Sequence, residues 1–224
     1  MNEKTTITLA PLAWASALIP LITMHLCYVV SAHADIVPWC LPWFEGCTSI
    51  SRASRSGAAY FIFKGAMLPA IVLIMLYWWC NRLWITQLGG KARGWWWLGI
   101  VAAGLLILYT VALGHIGEAF HWLRRIGVVG FFGLTYLAQV GLGAALYKNA
   151  WPKLGRVLVY LSLFSLLVGL SSVWVNIVWP EKHDSMEDSF EWSLAVLLNI
   201  HSMIVAYGWQ KTGFALHTTT SNLP

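Results

Sequence analysis

Charge is what this chain has least of. Asp, Glu, Lys and Arg make up 10% of its 224 residues, against 58% hydrophobic, whereas soluble domains carry roughly a quarter charged residues. That scarcity excludes a water-soluble protein, which could not cover so much apolar side chain. No basic, aromatic-interleaved stretch is present, so no nucleic-acid partner is expected. There is no Walker spacing, which leaves nucleotide binding without support, and no nucleophile elbow, which ranks an enzyme reading second. The absence of a low-complexity linker, an internal repeat or a soluble appendage makes residues 1–224 one domain. No convincing small-residue cleavage site follows the first apolar segment, which is longer than a typical signal-peptide core. Pro11 and Pro20 suit a retained helix, and the segment reads as a membrane span.

What is present is a set of six long apolar runs, at roughly 9–32, 60–82, 95–115, 123–147, 156–179 and 191–211. A helix needs about 20 apolar residues to cross a bilayer, and backbone groups in lipid must be satisfied within the segment. The fold class is therefore all-α, with six transmembrane helices. Basic residues favour cytoplasmic connections. With the N-terminus inside, the cytoplasmic parts hold Lys4, Arg82, Lys91, Arg93, Lys148, Lys153, Arg156 and Lys211, with Glu3 as their one acid. The other eight acids, Asp35 and Glu45 through Glu191, fall on the opposite side. Both termini are predicted to be cytoplasmic, with segments 32–59, 115–123 and 180–190 outside. The net charge of +5 is a topological signal. Short connections favour a bacterial inner membrane, with the outer segments periplasmic.

Cys40 and Cys47 flank a Pro/Trp-rich stretch on the predicted outer side, where an oxidising compartment would allow a disulfide; two free thiols in a packed loop are the alternative. Cys27 and Cys80 read as buried thiols. The connection from Ala32 to Ala59 holds Pro38, Pro42, Trp39, Trp43 and Phe44, a composition that suits an ordered lid or re-entrant element. Trp78, Trp79, Trp84 and Trp95–Trp97 suit an interfacial belt, with a ligand-stacking cage as the alternative. Ser162, Ser165, Gly169, Ser172 and Asn176 share one helical face and read as a packing seam.

Groups capable of chemistry collect on the predicted outer side. Ser51, Arg52 and Arg55 precede the second span and Lys64 lies about one turn inside it. Serine, glycine and arginine together can cradle a phosphate, or the arginines can touch lipid phosphates nonspecifically. His115, Glu118 and His121 fall at i, i+3 and i+6, with Arg125 beyond. They are weak metal candidates, or hydrogen-bonded residues at headgroup level that pair with Arg124 or Arg125. His183, Asp184, Glu187, Asp188 and Glu191 form an acidic cluster. Glu191 immediately precedes an apolar run, and an acid entering a bilayer tends to face a protein interior. It reads as a structural partner of Arg52, Arg55 or Lys64, or as a general acid or base. His25 and His201 lie in apolar spans and could ligate haem, but the several spaced pairs that haem binding uses are missing, and no cofactor is expected.

Three segments together resemble the DRAM/FRAG/SFK family of six-helix membrane proteins, which includes the factor for lipid remodelling of GPI anchors. The segment Cys47–Phe63 is similar to the family's first outer loop. Arg125–Phe132, with Gln139 beyond, resembles the start of its fourth helix, although Arg124 or Arg125 stands where a histidine is usual. Phe190-Glu191-Trp192 looks like the Glu-Trp that opens its sixth helix. The motif positions that carry over are Ser51, Phe63, Gly127, Phe132, Glu191 and Trp192. The resemblance implies work on or with membrane lipids. The expected function is binding of a phospholipid or glycolipid headgroup in an outer-leaflet pocket by Ser51, Arg52, Arg55, Lys64, Arg125 and Glu191, in lipid remodelling or organisation. The alternative is a membrane-embedded hydrolase or acyltransferase with His121, Glu118 and Glu191 as its catalytic groups. Membrane lipids are the expected partners, and a membrane-protein partner or a second copy of the chain is compatible with the pattern.

Overall fold

The computed structural model describes residues 4–149 and 151–219. In chain order these form β1 (Lys4–Thr8), α1 (Ala10–His33), two short helices α2 (Pro42–Glu45) and α3 (Ile50–Ser54), α4 (Gly57–Gln87), α5 (Trp95–Ala112), α6 (Glu118–Asn149), α7 (Pro152–Val178), α8 (Pro180–Lys211) and β2 (Ala215–Thr219). Six of the helices, α1 and α4 to α8, are long and apolar enough to cross a membrane, and the molecule is an all-α integral membrane protein. At 1.5 Å per residue the shortest span, α5, is about 27 Å long, which just matches a hydrocarbon core of about 30 Å.

Several helices run past the apolar segments that mark them. α7 and α8 each begin on a proline, Pro152 and Pro180, whose missing N–H costs nothing at the first helical position. α8 therefore starts well before Glu191, because polar residues continue a helix as readily as apolar ones once it is nucleated. Neither strand was expected from the sequence. β1 and β2 pair antiparallel, with Ile7 opposite Leu216. They join the two ends of the chain, and no local pattern reports a pairing over that separation.

Each spanning helix packs on the next in sequence, and α8 returns to α1, so the six form a closed ring. The chain ends and the α4–α5 and α6–α7 connections lie at one end, here the terminal end. Segment 34–56, the α5–α6 turn and the start of α8 lie at the other, the loop end. Close approach is set by glycine. A Cβ on Gly155 would stand 2.2 Å from the Tyr147 nitrogen, so the α6 and α7 backbones meet there without a side chain between them. The small-residue stripe of α7 is a seam only in its terminal half. Ser162 and Ser165 are buried, but a Cβ on Gly169 would meet nothing within 4 Å.

The tryptophans divide by depth. Trp79 and Trp97 are exposed, and the Arg82 guanidinium lies 5.1 Å and 4.9 Å from the Trp79 and Trp96 rings, as an interfacial belt requires. Trp78, Trp84 and Trp209 are instead fully buried. Trp84 Nε1 donates to Thr212 Oγ1 at 2.9 Å and Trp209 Nε1 to Asn81 Oδ1 at 3.2 Å. They fill the terminal half of the bundle.

Candidate functional site

Segment 34–56 is an ordered roof over the loop end. Cys40 and Cys47 form a disulfide around α2. The Tyr28 hydroxyl of α1 accepts from the Cys40 N–H and donates to the Cys40 carbonyl, each at 2.8 Å. Ser31 Oγ donates to the Ala53 carbonyl at 2.6 Å. From α8, Trp192 Nε1 donates to the Thr48 carbonyl at 2.8 Å and Ser189 Oγ to the Trp43 carbonyl at 3.1 Å. Trp43 stacks on His25 with ring centres 5.2 Å apart, and Trp192 meets both rings edge-on at 6.0 Å and 5.4 Å. Ser49 caps α3 by accepting the Arg52 N–H at 3.0 Å. Of the aromatics that set this loop apart in the sequence, Trp43 packs between α1 and α8, while Trp39 and Phe44 are exposed.

Beneath the roof lies a cavity bounded by α1, α4, α5, α6 and α8. Its volume is about 100 Å³. Its walls are mainly apolar: Met24, Phe63, Met67, Leu106 and Phe132 are among them. Polar groups lie at its two ends. Glu191 stands at the loop end with Tyr109, and Tyr77, Thr135, Asn199 and Ser202 stand toward the terminal end. From Glu191 to Ser202 the cavity follows α8 for about 16 Å at 1.5 Å per residue. That is about half of a hydrocarbon core about 30 Å thick. The buried Trp78, Trp84 and Trp209 close the bundle below it.

At the loop end the Glu191 carboxyl group lies beside the Ile50 backbone N–H, and Glu187 and Asp188 are close enough to act on it electrostatically. The Tyr109 hydroxyl faces the Ser51 hydroxyl, within reach of the charges of Glu191, Arg124 and Arg55. Arg52 lies instead beside Asp188. Ser51 and Arg55 from the roof, Tyr109 from α5, Arg124 from α6 and Glu191 from α8 thus come to one place.

The remaining sequence candidates fall elsewhere. Lys64 Nζ donates to the Tyr60 hydroxyl at 2.8 Å and the Val111 carbonyl at 3.1 Å; it turns toward the end of α5 and does not pair with Glu191. Arg125 is exposed beside Trp122. Arg124 does not pair with Glu118: its Nη1 donates to the Ala112 and His115 carbonyls at 3.3 Å and 2.8 Å, in the turn that follows α5. Gly114 and Gly117, at φ 82° and 123°, break the helix between α5 and α6, so His115 does not share the face of Glu118 and His121 at the start of α6. His115 stacks on Phe120, and all three side chains are exposed and outside the cavity lining. Among the described residues no three His, Cys, Asp or Glu side chains assemble as metal ligands. His25 bonds the Leu21 carbonyl and stacks on Trp43, while His201 is buried elsewhere in α8. The side chains of His183 and Asp184 lie outside the described residues.

Sequence reasoning did not single out Tyr109 at the loop end, nor Tyr77 and Thr135 below. A signal for the α8 wall was present: Glu191, Ala195, Leu198, Asn199 and Ser202 recur at helical spacing on one face. Compared with known proteins, the chain matches no family model, no curated protein and no solved structure.

Proposed function

We propose that this protein binds a membrane lipid, with an acyl chain in the interhelical cavity and the headgroup at the loop end, in lipid remodelling or lipid organisation. The observation that carries this reading is the cavity itself. It is apolar along its length and about one leaflet deep, with Glu191, Tyr109, Ser51, Arg55 and Arg124 grouped at one end. Ligand sites combine apolar walls with a few convergent polar groups in this way. Arginine suits phosphate because its guanidinium offers several fixed donors. In the orientation set by the basic connections, this end faces the outer leaflet, periplasmic in a bacterial inner membrane. The motif resemblance to lipid-remodelling membrane proteins points the same way.

Arg55 and Arg124 take the headgroup role first expected of Arg52, Arg55, Lys64 and Arg125, because these two act on Tyr109 at the loop end, although Arg124 Nη1 also serves the Ala112 and His115 carbonyls. Lys64 turns to Tyr60 and Val111, and Arg52 lies beside Asp188. The hydrolase or acyltransferase reading gains no comparable support. Glu191 borders the cavity, but neither His115 nor His121 does.

Native mass spectrometry of protein extracted in mild detergent tests the proposal. The wild-type protein is expected to carry one lipid. Ala195→Trp, which places an indole in the cavity, is expected to carry none while unfolding at a similar temperature. Arg55→Ala with Arg124→Ala is expected to lose more lipid than Lys64→Ala. Equal lipid in the wild-type and Ala195→Trp proteins would overturn the reading.

A further inference from the structure

The lower end of the cavity has a chemistry that an unmodified acyl chain does not use. Tyr77 is 2% exposed and Thr135 is 7% exposed. Both line the cavity; Thr135 Oγ1 has no hydrogen-bond partner, and Tyr77 Oη makes no bond of full geometry but lies beside the Asn81 and Ser202 side chains. Asn81 Nδ2, one turn beyond Tyr77 on α4, is also buried without a partner.

The other hydroxyls facing this space behave differently. Ser16 Oγ donates to the Leu12 and Leu73 carbonyls, and Ser202 Oγ to the Leu198 carbonyl. Returning a hydroxyl to a carbonyl one turn back is the usual solution for a serine or threonine inside a helix. Thr135 has the same opportunity on α6 and does not take it. Asn199 Nδ2 donates to the Ala195 carbonyl at 2.8 Å, which leaves its side-chain oxygen as an acceptor. The lower end therefore offers an unpartnered hydroxyl on α6, the Tyr77 hydroxyl on α4 beside Asn81 and Ser202, and an acceptor on α8. Leaving such groups unmet in a site surrounded by protein and lipid is costly. Valine and phenylalanine would fill the same volumes without that cost.

Resting on the lipid-binding reading above, we propose that this end is a subsite for an oxygen function carried on the ligand's tail: a hydroxyl or carbonyl group at mid-chain. Depth makes the assignment. The subsite's α8 member, Asn199, lies about 12 Å below Glu191 at 1.5 Å per residue, beyond the reach of a headgroup held beside Arg55 and Arg124. A ligand filling the cavity meets Tyr77 and Thr135 with its chain. A mid-chain hydroxyl accepts from one of these hydroxyls and donates to the other or to Asn199. Water offers the same hydrogen-bonding oxygen, and the experiment separates the two sources.

The test measures binding of stearate, 2-hydroxystearate and 12-hydroxystearate to delipidated protein by displacement of a fluorescent fatty acid. The wild-type protein is expected to favour 12-hydroxystearate over both others by about tenfold, equivalent to ~1.4 kcal/mol. In Tyr77→Phe with Thr135→Val, which removes the two oxygens and keeps the shapes, that ratio is expected to fall toward one. The single variants supply the same ratio if the pair does not fold. Equal binding of stearate and 12-hydroxystearate by the wild-type protein would assign the oxygens to water and overturn the subsite while leaving lipid binding intact. A preference that survives in the variants overturns it too. If none of the three fatty acids displaces the probe, the lipid-binding reading fails with it.

Discussion

Trp192 Nε1 donates to the Thr48 carbonyl across 2.8 Å. This bond joins the last spanning helix to the roof between the first two, one residue beyond the carboxylate that borders the cavity. Thr48 and Trp192 are both buried, so no water replaces the donor if it is removed. Trp192→Phe keeps most of the ring and deletes the N–H. The expected loss of stability is about 1–3 kcal/mol, the cost of a buried carbonyl left unmet. Trp97→Phe, on an exposed ring, is expected to stay within about 0.5 kcal/mol. Denaturant unfolding in detergent micelles measures both, and equal stability of the two variants would remove Trp192 as the fastening of the roof.

Gly155 and Gly169 lie on one helix and predict opposite outcomes. A Cβ at position 155 meets the Tyr147 nitrogen at 2.2 Å and Cα at 2.5 Å. Backbone atoms cannot rotate aside, and Gly155→Ala is expected to cost at least about 1–3 kcal/mol, the range for overpacking. At position 169 nothing lies within 4 Å, so Gly169→Ala should be neutral, or stabilising by up to about 1 kcal/mol from helix propensity. Thermal unfolding of the two variants side by side checks the contrast.

Cys40 and Cys47 are bonded, and Cys27 and Cys80 are free and buried. Denatured, unreduced protein is expected to take two maleimide labels, and reduced protein four. Mass spectrometry reads the count directly. The Cys40→Ser, Cys47→Ser variant is expected to lose about 2–4 kcal/mol, the usual range for a lost disulfide.

Orientation is open to a labelling experiment. Ile116, in the α5–α6 turn, is 97% exposed, and Lys91 is exposed in the α4–α5 connection. On intact spheroplasts, Ile116→Cys is expected to react with a membrane-impermeant maleimide, and Lys91→Cys only after lysis. The reverse pattern would put the loop end in the cytoplasm and remove the outer-leaflet assignment.

Some of this arrangement is visible in isolated segments. Whether a helix can cross a bilayer depends on its own length and apolarity, and all six spans are legible on those terms. The aromatic and proline content of segment 32–59 marks it as ordered, because such side chains need surfaces to pack on. Glu191 stands out because an acid beside a long apolar run must be solvated by something inside the protein. The weak metal candidates His115, Glu118 and His121 are parted for a local reason that the sequence also carries: Gly114 and Gly117, at positive φ, interrupt the helix before Glu118.

Ring closure, the cavity and the polar groups at its lower end are not legible in this way. A helix in lipid is apolar toward its neighbours and toward the bilayer alike, so hydrophobicity does not mark the inward side as it does in water. Tyr77 and Thr135 look like ordinary residues of apolar spans until α4, α5, α6 and α8 are set around one space. Lys64 lies close enough in sequence to Arg55 to suggest a common role, yet helix rotation carries it to Tyr60 and Val111. Composition and charge alone determined that the chain crosses a bilayer six times, because each crossing is a transfer of one segment from water to lipid. Packing decided which side chains share an interior, because that depends on contacts between helices far apart in the chain.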